Sequence, residues 1–546
     1  MSRLVRAATS ISVITLGSRV LGLIRDRLMA QTLGASWVQG TFLLAWTLPN
    51  LMRRLLGEGA LSASLVPRYA RLRITDPAAA KQLLEDVSGA VITILTPICL
   101  LVAAASVLIP TDWLPVPEEG GADAIRLLLA LNAVLFIYAL PICLAAVCSG
   151  ALNTLGVFAL PATIPIALNI IWIVALIAAK PLGFEVDTEI ATLAAWSLMV
   201  GGFLQLLIVL IPLILRKELG MPRLGLPKRG TTAFAVFLAM GPTVLGMSLN
   251  QISSLLDQLL AYYLIAPGAV TYVYLANRLL LFPHALTAMS VAVAVFPKLA
   301  SEADDLVRTK MRGTLDMSAA ATILVTLPAA AGLILLADDV VNVLFVGGKF
   351  GGEDIAPTVL TTACLVAGLP FLGLAQLYAR AFYAVGDTST PARTAAKLVV
   401  ANLLISVTLL LTTGMGTAAL TLSSTITSIG NAAILSRKFH RHAAPNNTNN
   451  LTKAWVRSLI ATAAMCSVLP LLRIAPDDAS LLMRASGNLM LPIGVGMLVY
   501  VLTHITLGSP ELRALRSSSK SKSKPQSNPE SDSRSDTVSE SDPDSK

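Results

Sequence analysis

Apolar stretches long enough to cross a lipid bilayer recur along almost the entire chain, and they restrict the fold more than any other feature. A helix needs about 20 apolar residues to span the hydrocarbon core. Only 13% of the 546 residues are charged, against about 25% in ordinary soluble proteins. The stretches are too continuous for the alternating pattern of membrane β-barrel strands. The sequence therefore predicts an all-α polytopic membrane protein.

Hydropathy predicts about fourteen transmembrane helices. They lie near residues 8–33, 38–66, 84–110, 124–152, 158–179, 190–215, 232–264, 269–297, 314–337, 355–384, 391–413, 416–436, 454–474 and 483–507. Lys and Arg concentrate in the connections after the second, sixth, eighth and twelfth helices, whereas Asp and Glu concentrate after the third and fifth. Because cationic loops stay on the cytoplasmic side, we expect both termini to be cytoplasmic.

Short sequence echoes divide the chain into units. DRLMA at Asp26–Ala30 recurs as DQLLA at Asp257–Ala261, and RLL at Arg54–Leu56 recurs at Arg278–Leu280. The offset is nearly constant, so we infer a duplication of six helices, as in transporters whose substrate site lies between the halves. The Ser- and acid-rich end of the chain cannot bury enough apolar area to fold. The predicted units are an N-lobe at 1–230 with helices 1–6, a C-lobe at 231–440 with helices 7–12, helices 13–14 at 441–515 and a disordered cytoplasmic tail at 516–546.

Charged residues lie inside the first, second and eighth predicted helices. A charge at the bilayer centre costs about 2.5–3.5 kcal/mol on insertion scales, so such residues usually face a partner or a water-filled pathway. The candidate substrate-binding residues are Ser18, Arg19, Arg25, Asp26, Asn50, Arg53, Arg54, Glu58 and Arg278. Arginine outnumbers acid in this set, and guanidinium groups match phosphate and carboxylate. A polar cavity for an anionic ligand is the favoured interpretation. The alternative, chiefly for Arg27 and Arg54, is that the side chains reach towards the membrane interface.

No residue pattern typical of an enzyme is visible. The four histidines are scattered, and the five cysteines lie in apolar helices without the spacing of metal ligands. GEGALS at Gly57–Ser62 lacks the lysine of a phosphate-binding loop. The cationic loops account for much of the net charge of +9 without a nucleic acid. We therefore expect no catalysis, metal, cofactor or nucleic-acid partner.

Several longer words resemble one family of membrane transporters. SRVLGLIRD at Ser18–Asp26 and LPNLMRRLLGEGALSASLVP at Leu48–Pro67 are highly specific. Weaker matches lie at Ser149–Thr154, Pro161–Ile170, Gly241–Ile252, Asn277–Pro283, Gly347–Phe350 and Arg380–Pro391. Across about residues 1–510, the chain resembles the MurJ (MviN) lipid II flippases of the multidrug/oligosaccharidyl-lipid/polysaccharide exporter superfamily.

The resemblance implies two six-helix lobes, two further helices that form a lipid-facing groove, and a central cationic cavity for the diphosphate and sugar of lipid II. It implies that the chain moves lipid II from the cytoplasmic to the outer leaflet of the bacterial cytoplasmic membrane by alternating access, in support of cell-wall biogenesis. The expected partners are lipid II and membrane lipids, and a role for a coupling ion or the membrane potential stays open. Two positions depart from the family pattern: Gly40 stands where an acidic residue is common, and Leu281 stands where a polar residue often follows the arginine.

Other functions stay open at this stage. An exporter of another polyprenyl-linked glycan differs only in the headgroup it carries. A drug antiporter of the same superfamily would need acidic rather than arginine-rich helices. A non-transporting membrane scaffold would act through its tail.

Overall fold

The computed structural model describes the backbone of residues 2–54, 61–286, 295–296, 298–302, 309–441, 449–476, 480–510 and 512. Within these ranges the secondary structure is helical, apart from one isolated β-bridge between Gly347 and Phe350. The predicted tail at 516–546 lies outside the described residues. The α-helices are α1 (Ser2–Leu33), α2 (Trp37–Met52), α3 (Leu61–Thr75), α4 (Pro77–Leu108), α5 (Gly121–Thr154), α6 (Ala159–Ala179), α7 (Asp187–Leu215), α8 (Thr232–Leu264), α9 (Ala269–Leu286), α10 (Thr309–Leu335), α11 (Ala337–Leu344), α12 (Gly352–Val366), α13 (Leu369–Ala384), α14 (Ser389–Thr413), α15 (Thr417–Arg441), α16 (Asn449–Val468), α17 (Leu481–Arg484) and α18 (Leu491–Thr506).

Each predicted span coincides with at least one of these helices. In the described part of the chain, ten helical segments are long and apolar enough to cross a membrane. The other four predicted spans correspond to α1, α2, α8 and α9. Of these, α1 carries charged residues in its interior, and α2 is only 16 residues long. The all-α membrane fold is confirmed, and the number of fourteen spans stays a prediction.

The connection after the second predicted span is a helix, so the expected loop there is wrong. Hydropathy ends this span near residue 66, but α3 continues to Thr75. Its cations are held in helical geometry: Arg68 Nη1 donates to the Ser64 carbonyl at 2.8 Å. On the same helix Tyr69 is buried and donates to Glu218 Oε2 at 2.9 Å. An amphipathic extension of this kind is invisible to a hydropathy average.

The helices pack in two groups and a C-terminal pair. Helices α1, α2 and α4–α7 pack mainly on one another, with α3 on α4 and α5. Helices α10 and α12–α15 form the second group, to which α8 and α9 are joined through α14 and α12. The C-terminal helices α16 and α18 pack on each other and on α10. We call α1–α7 the N-lobe and α8–α15 the C-lobe, and the residue limits given above for them stay predictions.

The linker between the lobes is attached to the N-lobe. The backbone N–H of Arg223 donates to the Glu85 carbonyl at 3.1 Å, and the Arg223 guanidinium pairs with Glu85 Oε2 at 3.1 Å. Further along, Gly225 N–H donates to Thr93 Oγ1 at 2.9 Å. Gly89 permits this approach, because a Cβ there would overlap the Arg223 carbonyl. The linker therefore lies against α4. The interface between the lobes is formed elsewhere, where α2 and α3 contact α8 and α9.

Candidate functional site

An ionic cluster joins α1 of the N-lobe to α9 of the C-lobe. Asp26 Oδ1 accepts hydrogen bonds from Arg25 Nε at 3.0 Å and Nη2 at 2.7 Å. Asp26 Oδ2 lies 3.0 Å from Arg278 Nε. Arg278 has no acidic neighbour in its own helix, and its carboxylate partner comes from the opposite lobe. The structure thus brings together three of the predicted site residues.

Two residues outside the predicted set hold the Arg25 guanidinium. Asn169 on α6 accepts from Arg25 Nη1 at 2.9 Å, and its Nδ2 donates to the Ser18 carbonyl at 3.1 Å. The indole ring of Trp172 lies 4.4 Å from Arg25 Cζ, in cation–π geometry. Asn169 is the only amide side chain in α6, whose other residues are apolar except for Thr163. A polar residue in a membrane helix is itself a signal of function, and it could have been found in this way.

Tyr274, also outside the predicted set, links the carboxylate to the second arginine. Its hydroxyl lies 2.9 Å from Asp26 Oδ1 and accepts from Arg278 Nη2 at 2.7 Å. Tyr274 precedes Arg278 by one turn of α9, and its ring lies 4.9 Å from Arg278 Cζ. The phenol therefore fixes the position of Arg278 relative to Asp26.

The charges of this cluster do not cancel. Arg25 and Arg278 supply two positive charges, and Asp26 supplies one negative charge. Arg25 and Asp26 are 6% and 4% exposed, whereas the Arg278 side chain is 34% exposed. An excess charge in a low-dielectric site is costly unless a counter-charge arrives. The accessible arginine therefore favours an anion, and its planar fork suits phosphate oxygens.

A second polar group lies at the end of α2, after the helical Pro49. Arg53 Nε donates to Asn50 Oδ1 at 3.0 Å. Arg54 Nη1 reaches across to the C-lobe and donates to Gln251 Oε1 on α8 at 3.1 Å. The structure thus places Arg54 in a contact between the lobes.

Two further contacts between α2 and α8 lie towards the other end of α2. Thr47 Oγ1 donates to Gln258 Oε1 at 2.6 Å, and Thr41 Oγ1 lies 3.0 Å from the Tyr262 hydroxyl. Together with the Arg54 contact, these pairs follow α2 and α8 in antiparallel order. The pairs made by Thr41 and Thr47 are neutral hydrogen bonds, which are modest individually, whereas Arg54 brings a charge to the same interface.

Ser18, Arg19 and Glu58 complete the predicted set, and Arg27 is expected to reach towards the membrane interface instead. Ser18 contributes its backbone carbonyl through Asn169. The Arg19 side chain is exposed on α1. Arg27, which follows Asp26 directly, turns to the other side of α1 and donates to the Val343 carbonyl at 2.6 Å. Glu58 lies outside the described residues.

Gly40, one of the departures from the family pattern, lies where the lobes touch through their backbones. A Cβ on Gly40 would overlap the carbonyl of Pro267, and a Cβ on Gly268 would overlap the carbonyl of Ala35. There is no space for an acidic side chain at position 40. The other departure, Leu281, is 46% exposed on α9.

Asp257 on α8 is a further carboxylate that the candidate set omitted. Its Oδ1 accepts from Asn402 Nδ2 at 3.0 Å, and its Oδ2 accepts from Ser424 Oγ at 3.3 Å. Both partners are neutral. The echo of DRLMA in DQLLA marks this residue in the sequence. Among the residues with described positions, no group of three or more His, Cys, Asp and Glu side chains could hold a metal ion.

Comparison with known sequences points to one family. The family profile described as Lipid II flippase MurJ matches residues 29–478. The chain is 29% identical over 524 residues to the probable lipid II flippase MurJ of Rhizobium tropici, which covers 95% of this chain and 97% of the relative. It is 30% identical over 400 residues to the lipid II flippase MurJ of Burkholderia cenocepacia, which covers 72% of this chain and 75% of the relative.

Solved structures share the fold. A lipid II flippase MurJ in an inward closed conformation matches with a TM-score of 0.73 at 22% identity, covering 91% of this chain and 98% of that chain. An inward-facing multidrug resistance transporter of the MATE family matches with a TM-score of 0.60 at 15% identity, covering 82% of this chain and 99% of that chain. The arrangement of helices is therefore common to transporters with different cargo.

Proposed function

This chain belongs to the lipid II flippase MurJ family, and on that basis we propose that it moves lipid II from the cytoplasmic to the outer leaflet of the bacterial cytoplasmic membrane. The proposed role is transport by alternating access, without catalysis. The observation that supports it at the level of residues is the Asp26 carboxylate, which is shared between arginines of opposite lobes.

In this proposal Asp26 occupies the arginine site when no substrate is bound, and the diphosphate of lipid II takes its place at Arg278. A diphosphate offers more acceptor oxygens and more negative charge than one carboxylate, so it competes for the guanidinium forks. Arg278 is the accessible arginine and is the one that would change partners. Arg25 is held by Asn169 and Trp172 and would keep its position.

Ligand binding would then replace the direct contact between the lobes by a contact through the ligand. A ligand shifts a conformational equilibrium only if it binds the two states differently. Exchange of Asp26 for a diphosphate at Arg278 supplies such a difference, because Asp26 and Arg278 belong to different lobes. The membrane potential is worth about 2.3 kcal/mol per charge per 100 mV, so a charged headgroup could also respond to it.

Transport of fluorescent lipid II in proteoliposomes tests the proposal. Arg278→Ala should lower the rate at least about tenfold, because one charge-assisted contact is worth about 1.5–3 kcal/mol. Arg278→Lys should have a transport rate between those of the wild type and Arg278→Ala, since lysine keeps the charge but lacks the planar guanidinium. Arg126→Ala is the matched control, because Arg126 is an exposed arginine paired only at the surface with Asp123. Wild-type transport by both Arg25→Ala and Arg278→Ala would refute the proposal.

The alternative functions are distinguished by transport in the same vesicles and by a deletion tested in cells. An exporter of another polyprenyl-linked glycan would carry that lipid faster than lipid II, because a diphosphate site alone does not select the sugar. A scaffold would lose its cellular function on deletion of residues 517–546, whereas a flippase should keep most of its transport rate.

A further inference from the structure

A short segment at the predicted outer side ties the N-lobe to the rest of the molecule. The segment comprises α11 and the turn after it, residues 337–350, and we call it the outer strap. Arg27 Nη1 donates to the Val343 carbonyl at the end of α11 at 2.6 Å. One turn further along α1, Gln31 Nε2 donates to a strap carbonyl at 3.1 Å, and the Gln31 carbonyl accepts from Lys349 N–H at 2.8 Å.

The turn of the outer strap is shaped for this contact. Gly347 and Gly348 have φ values of +137° and +57°, which side chains other than glycine rarely adopt. A Cβ on Gly348 would also overlap the Gln31 carbonyl. Beneath the turn, Phe345 and Phe350 are buried in a cluster with Ala30 of α1. The strap is therefore seated on α1 by its backbone and by apolar packing.

The other end of the outer strap is attached to the C-terminal helices. Arg473, which follows α16, lies 2.9 Å from Asp339 Oδ2 in the first turn of α11 and donates to the Leu335 carbonyl at 2.7 Å. Val343 of the strap packs in a buried cluster with Leu336, which precedes the strap, and with Leu489, which precedes α18. A movement of the C-terminal helices α16 and α18 would therefore displace the strap.

One exposed ion pair adds to these contacts. Lys349 Nζ lies 2.6 Å from Asp187 Oδ1 at the start of α7, and the two side chains are 53% and 24% exposed. Exposed pairs contribute little and are screened by salt. Arg27 and Gln31, which bond to backbone groups, are therefore the main attachments of the strap to the N-lobe.

We propose that the outer strap is the latch that keeps the outer end of the lobe interface closed, with Arg27 as its positioning residue. This inference rests on the proposed alternating-access function. Arg27 follows Asp26 directly, so the strap holds the part of α1 that carries the shared carboxylate. The cation also caps the C-terminal end of α11, where positive charge is favoured. Opening to the outside requires these bonds to break together.

Outside accessibility of a half-buried position between the lobes tests the latch. In a chain whose five native cysteines are replaced, a Thr47→Cys reporter lies between the lobes, and a membrane-impermeant maleimide is added to intact cells. We expect Arg27→Gln to raise the labelling rate about tenfold, since a charge-assisted bond is lost. Arg27→Lys should restore most of the closure, because it keeps the charge at the end of α11.

Arg473→Gln should raise labelling severalfold, because it releases the other end of the strap. The matched control is Lys180→Gln: Lys180 is exposed after α6 on the same predicted side. Wild-type labelling in Arg27→Gln with an unchanged unfolding midpoint would overturn the proposal.

Charge reversal of the exposed Lys349–Asp187 pair provides a second test, read with the same Thr47→Cys reporter. Lys349→Glu and Asp187→Lys should each raise labelling, by at most about fivefold for an exposed pair, and the double variant should restore the wild-type rate. If Arg27→Gln fails to fold, the reversal variants replace it as the test. Faster labelling in both single variants with a wild-type rate in the double variant supports the latch, and single variants that label at the wild-type rate, or a double variant that is not restored, overturn it.

Transport measurements keep the two proposals apart. Wild-type lipid II transport combined with labelling that no strap variant changes overturns the latch alone. Faster labelling in the strap variants of a protein that does not transport lipid II supports the latch and overturns the proposed cargo.

Discussion

Asp26 on α1 and Asp257 on α8 hold the same position in the sequence echo, but their surroundings differ. Asp26 begins DRLMA and Asp257 begins DQLLA. Two arginines and a phenol surround Asp26. An amide and a hydroxyl bond to Asp257. The same backbone position thus supports an ionic centre in one lobe and a neutral network in the other.

The amides that support the two carboxylates match as well. Asn169 on α6 and Asn402 on α14 are separated in sequence by nearly the same offset as the two aspartates. Asn169 accepts from Arg25, whereas Asn402 donates directly to Asp257. The residue before the carboxylate accounts for the contrast: it is Arg25 in the N-lobe, and Leu256 stands in its place in the C-lobe. Arg25 in the first helix, together with Arg278 from the other lobe, makes the surroundings of the two carboxylates chemically unequal.

Removing the negative charge from the ionic centre should have the largest effect. We expect Asp26→Asn to lower the free energy of unfolding by about 3 kcal/mol, since loss of the shared carboxylate leaves the buried Arg25 guanidinium uncompensated. Thermal unfolding of the purified protein in detergent measures this change. Asp257→Asn is the matched variant in the other lobe. An equal loss of stability in both variants would contradict the contrast between an ionic and a neutral carboxylate site.

Making the N-lobe resemble the C-lobe should have an intermediate effect. Arg25→Leu leaves Asp26 paired with Arg278 but strands the carbonyl oxygen of Asn169, at a cost of about 1–3 kcal/mol for an unsatisfied buried group. It also removes the excess positive charge, so lipid II binding should weaken at least about tenfold if one charge-assisted contact is lost. Native mass spectrometry of the purified protein with lipid II measures the binding. Undiminished binding would show that the asymmetry of the lobes has no part in recognition.

The sequence predicts the all-α membrane fold, and it singles out three charged residues that the structure brings into one cluster. Apolar stretches give the helices, because only helices satisfy the backbone in lipid. Arg25, Asp26 and Arg278 stand out because charge in an apolar helix is rare. Their pairing was not predictable, because helical geometry relates residues of one helix and gives no distance between α1 and α9. Tyr274 was missed because an uncharged aromatic residue in a membrane helix resembles ordinary packing.

Arg27 is a second residue whose contacts the sequence does not predict. It is adjacent to Asp26 and has the same side chain as Arg25, yet it bonds to the outer strap. Helical geometry predicts that neighbours in sequence point to different sides. It does not predict what each side meets, since that depends on a segment more than half the chain away.

Replacing the C-lobe carboxylate should have the smallest effect on stability. Asp257→Asn keeps the shape of the side chain, and its carbonyl oxygen can still accept from Asn402 Nδ2. The Ser424 hydroxyl can rotate to accept from the new amide, so we expect a loss below about 1 kcal/mol. Thermal unfolding measured beside Asp26→Asn gives the difference directly. A loss near that of Asp26→Asn would mean that a charged partner lies at Asp257 in the folded protein, and that the two lobes differ in which cation they use rather than in whether they use one.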